Sequence, residues 1–256
     1  MKSAGANELV AAVEKTTGYR VVVDTVDNIG EDAQMLSARP ELPVHTIRVS
    51  KAKLPYAEYI VATQCAMILR TWADPTRIPA FSPITEKVGH YINRTASAKP
   101  LSQAPASVAQ KTAQHYVQGL LHQVRSMPLE ILTIRDCREL CPDLRDLQAD
   151  SVENELRRLS EVFAPKLRSS VPEQVWRGNV SMNSAFALNW AELSGSPLAM
   201  LPYTSAGFNG TATSLLKEVN AHSAKTPDAY TALVDAWAEQ VGLRTLYQWE
   251  YRNGRS

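Results

Sequence analysis

The sequence predicts an α+β fold in which a small sheet near the N-terminus precedes a mainly helical remainder. Two segments in the first 50 residues, 19–26 and 43–50, are rich in β-branched residues, which favour strands. After residue 106, apolar residues recur at spacings of three and four, as is typical of amphipathic helices. No repeat of constant period is evident, so a solenoid is not expected.

The N-terminal elements are predicted as helix, strand, strand and helix. Asn7 is a candidate N-cap for a first helix over residues 7–15, and Gly18 follows its end. The strands cover residues 19–26 and 43–50. The strongest helical pattern extends over residues 54–72, where Pro55 suits the first turn and the following apolar residues form one stripe.

The remaining chain is expected to pack with this unit as one body. Residues 1–75 form the first unit, residues 76–106 a proline-rich connection with a short helix over 85–94, and residues 107–256 the helical part. In the helical part we predict helices over residues 107–126, 134–141, 144–163, 179–193, 212–219 and 227–241. Near the C-terminus, Tyr247, Trp249 and Tyr251 alternate, which indicates either a terminal strand or an exposed aromatic strip.

Composition favours a soluble cytoplasmic protein. The chain has 256 residues, a formal charge of +1 and three cysteines, too few for a secreted disulfide framework. No apolar run approaches the roughly 18 residues that a membrane span needs. The near-balanced charge gives no global electrostatic signal for nucleic acid. Cys65, Cys137 and Cys141 are expected to be buried, reduced thiols; a nucleophile at Cys65 and half a metal site in CRELC are the alternatives.

The stretch EYIVATQCAMILR, residues 58–70, resembles the active-site helix of the ImmA/IrrE class of zincin metallopeptidases. In that class the helix reads I-V-A-H-E-x-x-H-x-L-R. Matched residue by residue, the first histidine falls on Thr63, the glutamate on Gln64 and the second histidine on Met67. The resemblance covers roughly the first 75 residues and implies a zincin-like unit of helix, small sheet and helix.

The three matched positions lack the chemistry that the family uses. A zincin needs two imidazoles four residues apart to bind zinc, and a glutamate beside the first to accept a proton from the metal-bound water. Thr63 is a weak ligand, Met67 offers a soft thioether, and Gln64 cannot accept a proton at neutral pH. We therefore expect a pseudoenzyme without a cofactor.

The resemblance implies that the former active-site cleft binds a peptide or protein partner without cleaving it. The residues expected to line this cleft are Tyr56, Tyr59, Thr63, Gln64 and Met67. A regulatory role in bacterial stress or host defence follows from the resemblance alone, and a likeness of fold is weak evidence for function.

Two other hypotheses remain open at this stage. The chain could be a metal-dependent hydrolase whose ligands come from His45, His90, His115 or His122 together with Glu58; His115 and His122 are two helical turns apart and share a face. Alternatively, the chain could be a helical adaptor subunit in which the resemblance of residues 58–70 is accidental.

Overall fold

The computed structural model of the protein describes residues 2–27, 29, 33–39, 41–72, 74 and 76–253. It has the predicted α+β architecture: two small sheets and a mainly helical body. The part of the chain so described contains no helix that is both long and apolar enough to cross a bilayer.

The first helix, α1 (Ala4–Thr17), begins earlier than predicted. Its N-cap is Ser3, whose Oγ accepts a hydrogen bond from the backbone N–H of Ala6 at 3.1 Å. Asn7 lies inside the first turn, where its side-chain amide donates to the Ser3 carbonyl. Gly18 ends the helix with φ of 75°, in the left-handed region that glycine adopts without strain.

The N-terminal sheet has three strands in the order β1-β3-β2. The central strand β3 (Val44–Ser50) pairs in parallel with β1 (Arg20–Val26), with Val23 opposite Ile47. On its other side β3 pairs antiparallel with β2 (Ala33–Leu36), a strand that the sequence does not predict. Because β3 has a neighbour on both sides, its side chains are the most buried of the sheet.

Helix α2 (Ala57–Thr71) follows a 3₁₀ segment, Lys51–Tyr56, that contains Pro55. The helix was predicted over residues 54–72. In the structure the α-helical part begins at Ala57, and the residues just before it form the 3₁₀ segment. Its apolar stripe, which includes Val61, Cys65 and Ile68, is buried against α1 and the long central helix.

Residues 76–106, predicted as a connection, contain regular structure. Strand β4 (Ile78–Pro83) pairs antiparallel with β5 (Tyr247–Arg252) at the end of the chain, with Phe81 opposite Trp249. Helix α3 (Thr85–Ala96) matches the short helix predicted there. The prolines of this segment lie at strand and turn positions, so this part of the chain is built into the fold.

The long central helix, α4 (Ala106–Leu140), contradicts the prediction of two separate helices. It passes through Pro128 without ending. Proline removes one backbone donor and disfavours a helix interior by about 3 kcal/mol. Buried apolar residues on both sides of Pro128, including Val124 and Ile131, hold the two halves in one continuous helix.

The helices that follow α4 include four longer ones, which contact it, and two short ones. They are α5 (Arg145–Ser160), α6 (Pro165–Ser170), α7 (Glu173–Ser194), α8 (Leu201–Ser205), α9 (Asn209–Ala221) and α10 (Pro227–Gln240). One cluster of buried apolar side chains joins α1, β3 and α2 to α4, α7, α9 and α10. The N-terminal unit and the helical part therefore share a core.

A buried ion pair connects α2 to α4 within this core. The guanidinium of Arg70, 8% exposed, donates from Nε and Nη2 to the two carboxylate oxygens of Asp136, each at 2.7 Å. It also donates to the Ser223 carbonyl ahead of α10. One side chain thus links three segments that are distant in sequence.

Candidate functional site

A groove of about 470 Å³ opens beside α2 at the positions of the degenerate motif. Its floor and walls come mainly from α2, α4 and α5, with one residue each from β2 and α7. The lining residues are Ala33, Tyr59, Ile60, Thr63, Gln64, Met67, His122, Glu130, Thr133, Ile134, Ser151, Val152, Glu155, Arg158 and Phe186. Four of the five predicted cleft residues are among them.

The fifth predicted residue, Tyr56, does not line the groove. Its hydroxyl oxygen accepts a hydrogen bond from Asn154 Nδ2 at 3.0 Å. Tyr56 ends the 3₁₀ segment before α2, and this bond places its side chain against α5. Its contact holds α5, one wall of the groove, against the start of α2.

Thr63, Gln64 and Met67 are brought to the groove together because they share one face of α2. Residues at positions i and i+4 of a helix lie on the same face, and the residue at i+1 borders that face. All three are half-buried, whereas Cys65 and Ile68 on the opposite side are fully buried. The helix thus separates a packed face from a face that is open to the groove.

Two threonines of the groove, one on α2 and one on α4, donate their hydroxyl hydrogens to backbone carbonyls. Thr63 Oγ1 donates to the Ile60 carbonyl at 2.8 Å, and Thr133 Oγ1 donates to the Glu130 carbonyl at 3.0 Å. A hydroxyl has one hydrogen and two lone pairs. Thr133 is 1% exposed, so of these two hydroxyls only that of Thr63, which is half-buried, has lone pairs within reach of a ligand.

Among the lining residues that the structure describes, the charged groups are two carboxylates and one guanidinium. Glu155 accepts two hydrogen bonds from Arg158, at 2.6 and 2.9 Å, as a bidentate pair along α5. Glu130 projects from α4 on the other wall. The described lining thus has charged side chains on two walls next to apolar ones.

Tyr59 forms part of the apolar base of the groove. Its side chain is 5% exposed, and burial raises the pKa of its hydroxyl well above the usual range of tyrosine. The neutral phenol is therefore the form present at physiological pH. Tyr59 therefore contributes an aromatic ring and a neutral hydroxyl to the groove and cannot act as a base there.

The histidines proposed as alternative metal ligands are not brought together. His45 is fully buried in β3, with Nδ1 accepting from the Ala38 N–H and the ring 5.0 Å from that of Trp72. His90 and His115 are exposed on α3 and α4, and only His122 reaches the groove. The hydrolase hypothesis requires these side chains to converge on one metal ion, and their positions in the structure do not allow that.

Glu58, the acid of that ligand set, has a different role. Its carboxylate accepts hydrogen bonds from the backbone N–H groups of Lys2 and Ser3, at the start of α1. A carboxylate is favourable there because the first backbone donors of a helix have no partner within the helix. Glu58 thus fastens α1 to α2.

Zinc, which the resemblance implies, does not fit the groove residues. The positions that would hold and use it are a hydroxyl, an amide and a thioether, and none of these groups is a good ligand for this ion. Over the residues that the structure describes, no group of three His, Cys, Asp or Glu side chains is arranged to hold a metal.

The three thiols are buried, as predicted. Cys65, Cys137 and Cys141 are each at most 2% exposed and form no disulfide. Burial raises the pKa of the Cys65 thiol to about 12, so the thiolate needed for nucleophilic attack is negligible at neutral pH. Cys65 acts as a small core residue of α2.

The sequence analysis missed the residues on the second and third walls, of which Glu130, Thr133 and Glu155 are the most polar. A signal for two of them is present in the sequence. Glu130 and Thr133 are polar residues inside the apolar run MPLEILTI, residues 127–134, where a fully packed helix would have apolar side chains. No comparable signal distinguishes Glu155 from the other charges of α5.

Comparison of the chain with protein-family models, with curated proteins and with solved structures finds no match. The likeness of residues 58–70 to the ImmA/IrrE helix therefore remains an expectation from the sequence.

Proposed function

We propose that this protein is a zincin-like pseudo-metallopeptidase that binds a peptide segment in the groove beside α2 without hydrolysing it. The observation that carries the proposal is the position of the groove. It opens at Thr63, Gln64 and Met67, the three positions where the resemblance would place the catalytic residues.

The edge of the N-terminal sheet suits an extended peptide. In the order β1-β3-β2, strand β2 has one neighbour among the described strands, and its first residue, Ala33, lines the groove. Backbone N–H and C=O groups on an edge strand can pair with an added strand, which is a common mode of peptide recognition. A peptide lying along β2 would pass over Thr63 and Met67.

The groove has the mixed surface that binding sites for peptides and small molecules need. Apolar area is provided by Tyr59, Ile60, Ile134, Val152 and Phe186. A few polar side chains can fix the orientation of a ligand. Neither Thr63 nor Gln64 can replace the missing base or metal ligands, so the chemistry supports binding without turnover. A regulatory role in bacterial stress or defence is the biological reading that the resemblance suggests.

The proposal is tested by selecting peptides from a randomised phage-displayed library on three purified proteins. They are the unmodified protein, Thr63→Phe, which places a ring in the groove, and Gln114→Phe, which adds the same ring on an exposed position of α4. Clones that bind the unmodified protein should be retained by Gln114→Phe and lost by Thr63→Phe. Clones that bind all three equally, or a failure to recover any binding clone, would contradict the proposal.

The resemblance itself has a separate test. Thr63→His, Gln64→Glu and Met67→His together restore the family pattern on a face that is already open. The triple variant should take up close to one equivalent of zinc and unfold at a higher temperature with zinc than without it, since a ligand that binds only the folded state stabilises it.

The matched control for zinc uptake is the double variant Thr63→His with Gln64→Glu, which keeps Met67. It has one imidazole fewer, so it should bind zinc far more weakly than the triple variant. A folded triple variant that binds no more zinc than this control would contradict the resemblance.

A further inference from the structure

We propose that two copies of this chain associate through strand β1, which pairs antiparallel with β1 of the second copy across a twofold axis at Val22. The N-terminal sheets of the two copies would then form one continuous sheet. This inference goes beyond the proposed function and is independent of it, because β1 and the groove strand β2 are opposite edges of the sheet.

The outer edge of β1 carries backbone groups that no other strand uses. Among the described strands, β1 pairs with β3 alone. The N–H of Val21 donates to the Glu14 carboxylate at 3.0 Å, so the backbone groups of Val21 point away from β3. Backbone direction alternates along a strand, and those of Val23 and Thr25 therefore point outward too. In the described part of the chain nothing binds these groups, so the edge can accept a strand.

The second half of β1 is exposed on both faces of the sheet. Val23, Asp24 and Thr25 are consecutive exposed residues, and successive side chains of a strand point to opposite faces. Val23 is 44% exposed, whereas Ile47, its neighbour on β3, is fully buried. The difference arises because β3 has a strand on each side. A strand added beside β1 would cover Val23 in the same way.

The charges of β1 identify the added strand as a second copy. Arg20 and Asp24 are exposed, project from the same face and form no ion pair within the described residues. They are about 13 Å apart along the strand, too far to pair with each other. In antiparallel pairing centred on Val22, Arg20 of each copy lies directly opposite Asp24 of the other. An unrelated strand would have matching charges only by chance, whereas a second copy always has them.

The same charges select the register of the pairing. With the axis at Val22, Val21 of each copy also lies opposite Val23 of the other, and cross-strand pairs of opposite charge or of apolar side chains are favourable. An axis at Asp24 would instead place two carboxylates opposite each other, which is unfavourable. In the chosen register the N–H of Val23 donates to the Val21 carbonyl of the other copy, a bond that does not need the N–H already held by Glu14.

Charge reversal tests the pairing, with the association of the whole chain measured by sedimentation equilibrium. The unmodified protein should form dimers. Arg252→Glu should do so equally well, because it makes a reversal on the exposed strand β5, away from β1. Arg20→Glu and Asp24→Arg should each associate at least about tenfold more weakly, since either change places like charges opposite each other twice in the dimer.

An equimolar mixture of the two weakened variants provides the decisive measurement. In a dimer of Arg20→Glu with Asp24→Arg, both cross-strand charge pairs again have opposite signs. The mixture should therefore associate within about threefold of the affinity of the unmodified protein. Because misfolded chains would not recover association on mixing, this result also shows that both variants are folded.

Three outcomes would overturn the inference. The first is an unmodified protein that stays monomeric up to about 1 mM. The second is a dimer that neither reversal weakens, because the contact would then lie on another surface. The third is a mixture that associates no better than its two components, because the charges of β1 would then not face each other.

Discussion

The two faces of helix α2 differ in how many neighbours constrain them. On the packed face, Cys65 and Ile68 are fully buried, and Arg70 is held by Asp136 from α4. On the groove face, Thr63 and Met67 are half-buried and border open space. A substitution on the packed face must disturb several elements, whereas one on the groove face changes a side chain that borders open space and should affect stability little.

This difference identifies which residues the fold needs. The packed face would be required by any protein with this arrangement of α1, α2 and α4. The polar groove face is not needed to bury apolar surface, so substitutions there should cost little stability. The predictions below test this division, first on the packed face and last on the groove face.

The largest effect is expected for Asp136→Ala. It leaves the Arg70 guanidinium buried without its carboxylate, and breaking a buried pair by removing one partner typically costs about 3–5 kcal/mol. Because Asp136 itself is partly exposed, we expect a loss of about 3 kcal/mol in the free energy of unfolding, measured with urea. Glu139→Ala, on an exposed position of the same helix, should change it by less than about 0.5 kcal/mol. A similar small effect for Asp136→Ala would show that the pair does not hold α2 in place.

Acid should destabilise the protein through His45, which lies behind α2 against Trp72. Burial lowers the pKa of His45 to about 4, and its ordinary value of 6.5 applies in the unfolded chain. The unfolded state therefore binds the proton more readily, and stability falls as the pH drops from 6.5 toward 4. The loss from this group should reach about 3 kcal/mol at pH 4.

The measurement is urea unfolding at about pH 7 and about pH 4 for the unmodified protein, His45→Phe and His90→Phe. The unmodified protein and His90→Phe, whose histidine is exposed, should lose about 3 kcal/mol more than His45→Phe over this range. Parallel losses in all three proteins would show that His45 is not the group responsible.

A smaller loss is expected where α1 meets the end of α4. A Cβ added at Gly5 would lie 2.6 Å from the Leu140 carbonyl oxygen and 2.8 Å from the Cα of Cys141. Both atoms belong to the backbone and cannot rotate away, so Gly5→Ala should lower the free energy of unfolding by about 1–3 kcal/mol. Gly119→Ala, at a helical position with no neighbour near the added carbon, should raise it by about 0.5–1 kcal/mol. Equal behaviour of the two variants would contradict close packing at Gly5.

The smallest effect on stability is expected on the groove face. Thr63→Ala and Gln64→Ala remove half-buried polar side chains next to open space, and each should change the free energy of unfolding by less than about 0.5 kcal/mol. The same variants should weaken binding of the selected peptides, as measured by fluorescence anisotropy. A loss of more than about 1 kcal/mol in stability would mean that this face is part of the core.

Local sequence patterns predicted much of the secondary structure. The apolar spacing around Val61 and Cys65 predicted α2 and its buried side, and the alternating aromatic residues near the C-terminus correctly indicated β5. The misses have physical causes. Strand β2 has the sequence AQML, which has no β-branched residue, and its conformation depends on pairing with β3.

The candidate site was predicted on one wall only. Thr63, Gln64 and Met67 are identified by their position within a helical motif, and the structure places them together in the groove. Glu130 and Glu155 come from α4 and α5, and nothing in the local sequence shows that these helices face α2. Tyr56 was assigned to the groove as one of a series of residues on successive turns, but it is not among the lining residues, and its hydroxyl accepts a hydrogen bond from Asn154.

The sequence by itself determined where most helices and strands form and which side chains stand at the three motif positions, because propensity, periodicity and side-chain chemistry are local properties. Only the tertiary structure decided that these positions remain open while the opposite face of α2 is covered. Burial and ion pairing act between elements that are distant along the chain, as in the contact of Arg70 with Asp136, 66 residues away. The groove is the space that α2, α4 and α5 enclose together, and its other walls come from helices that no local pattern places beside α2.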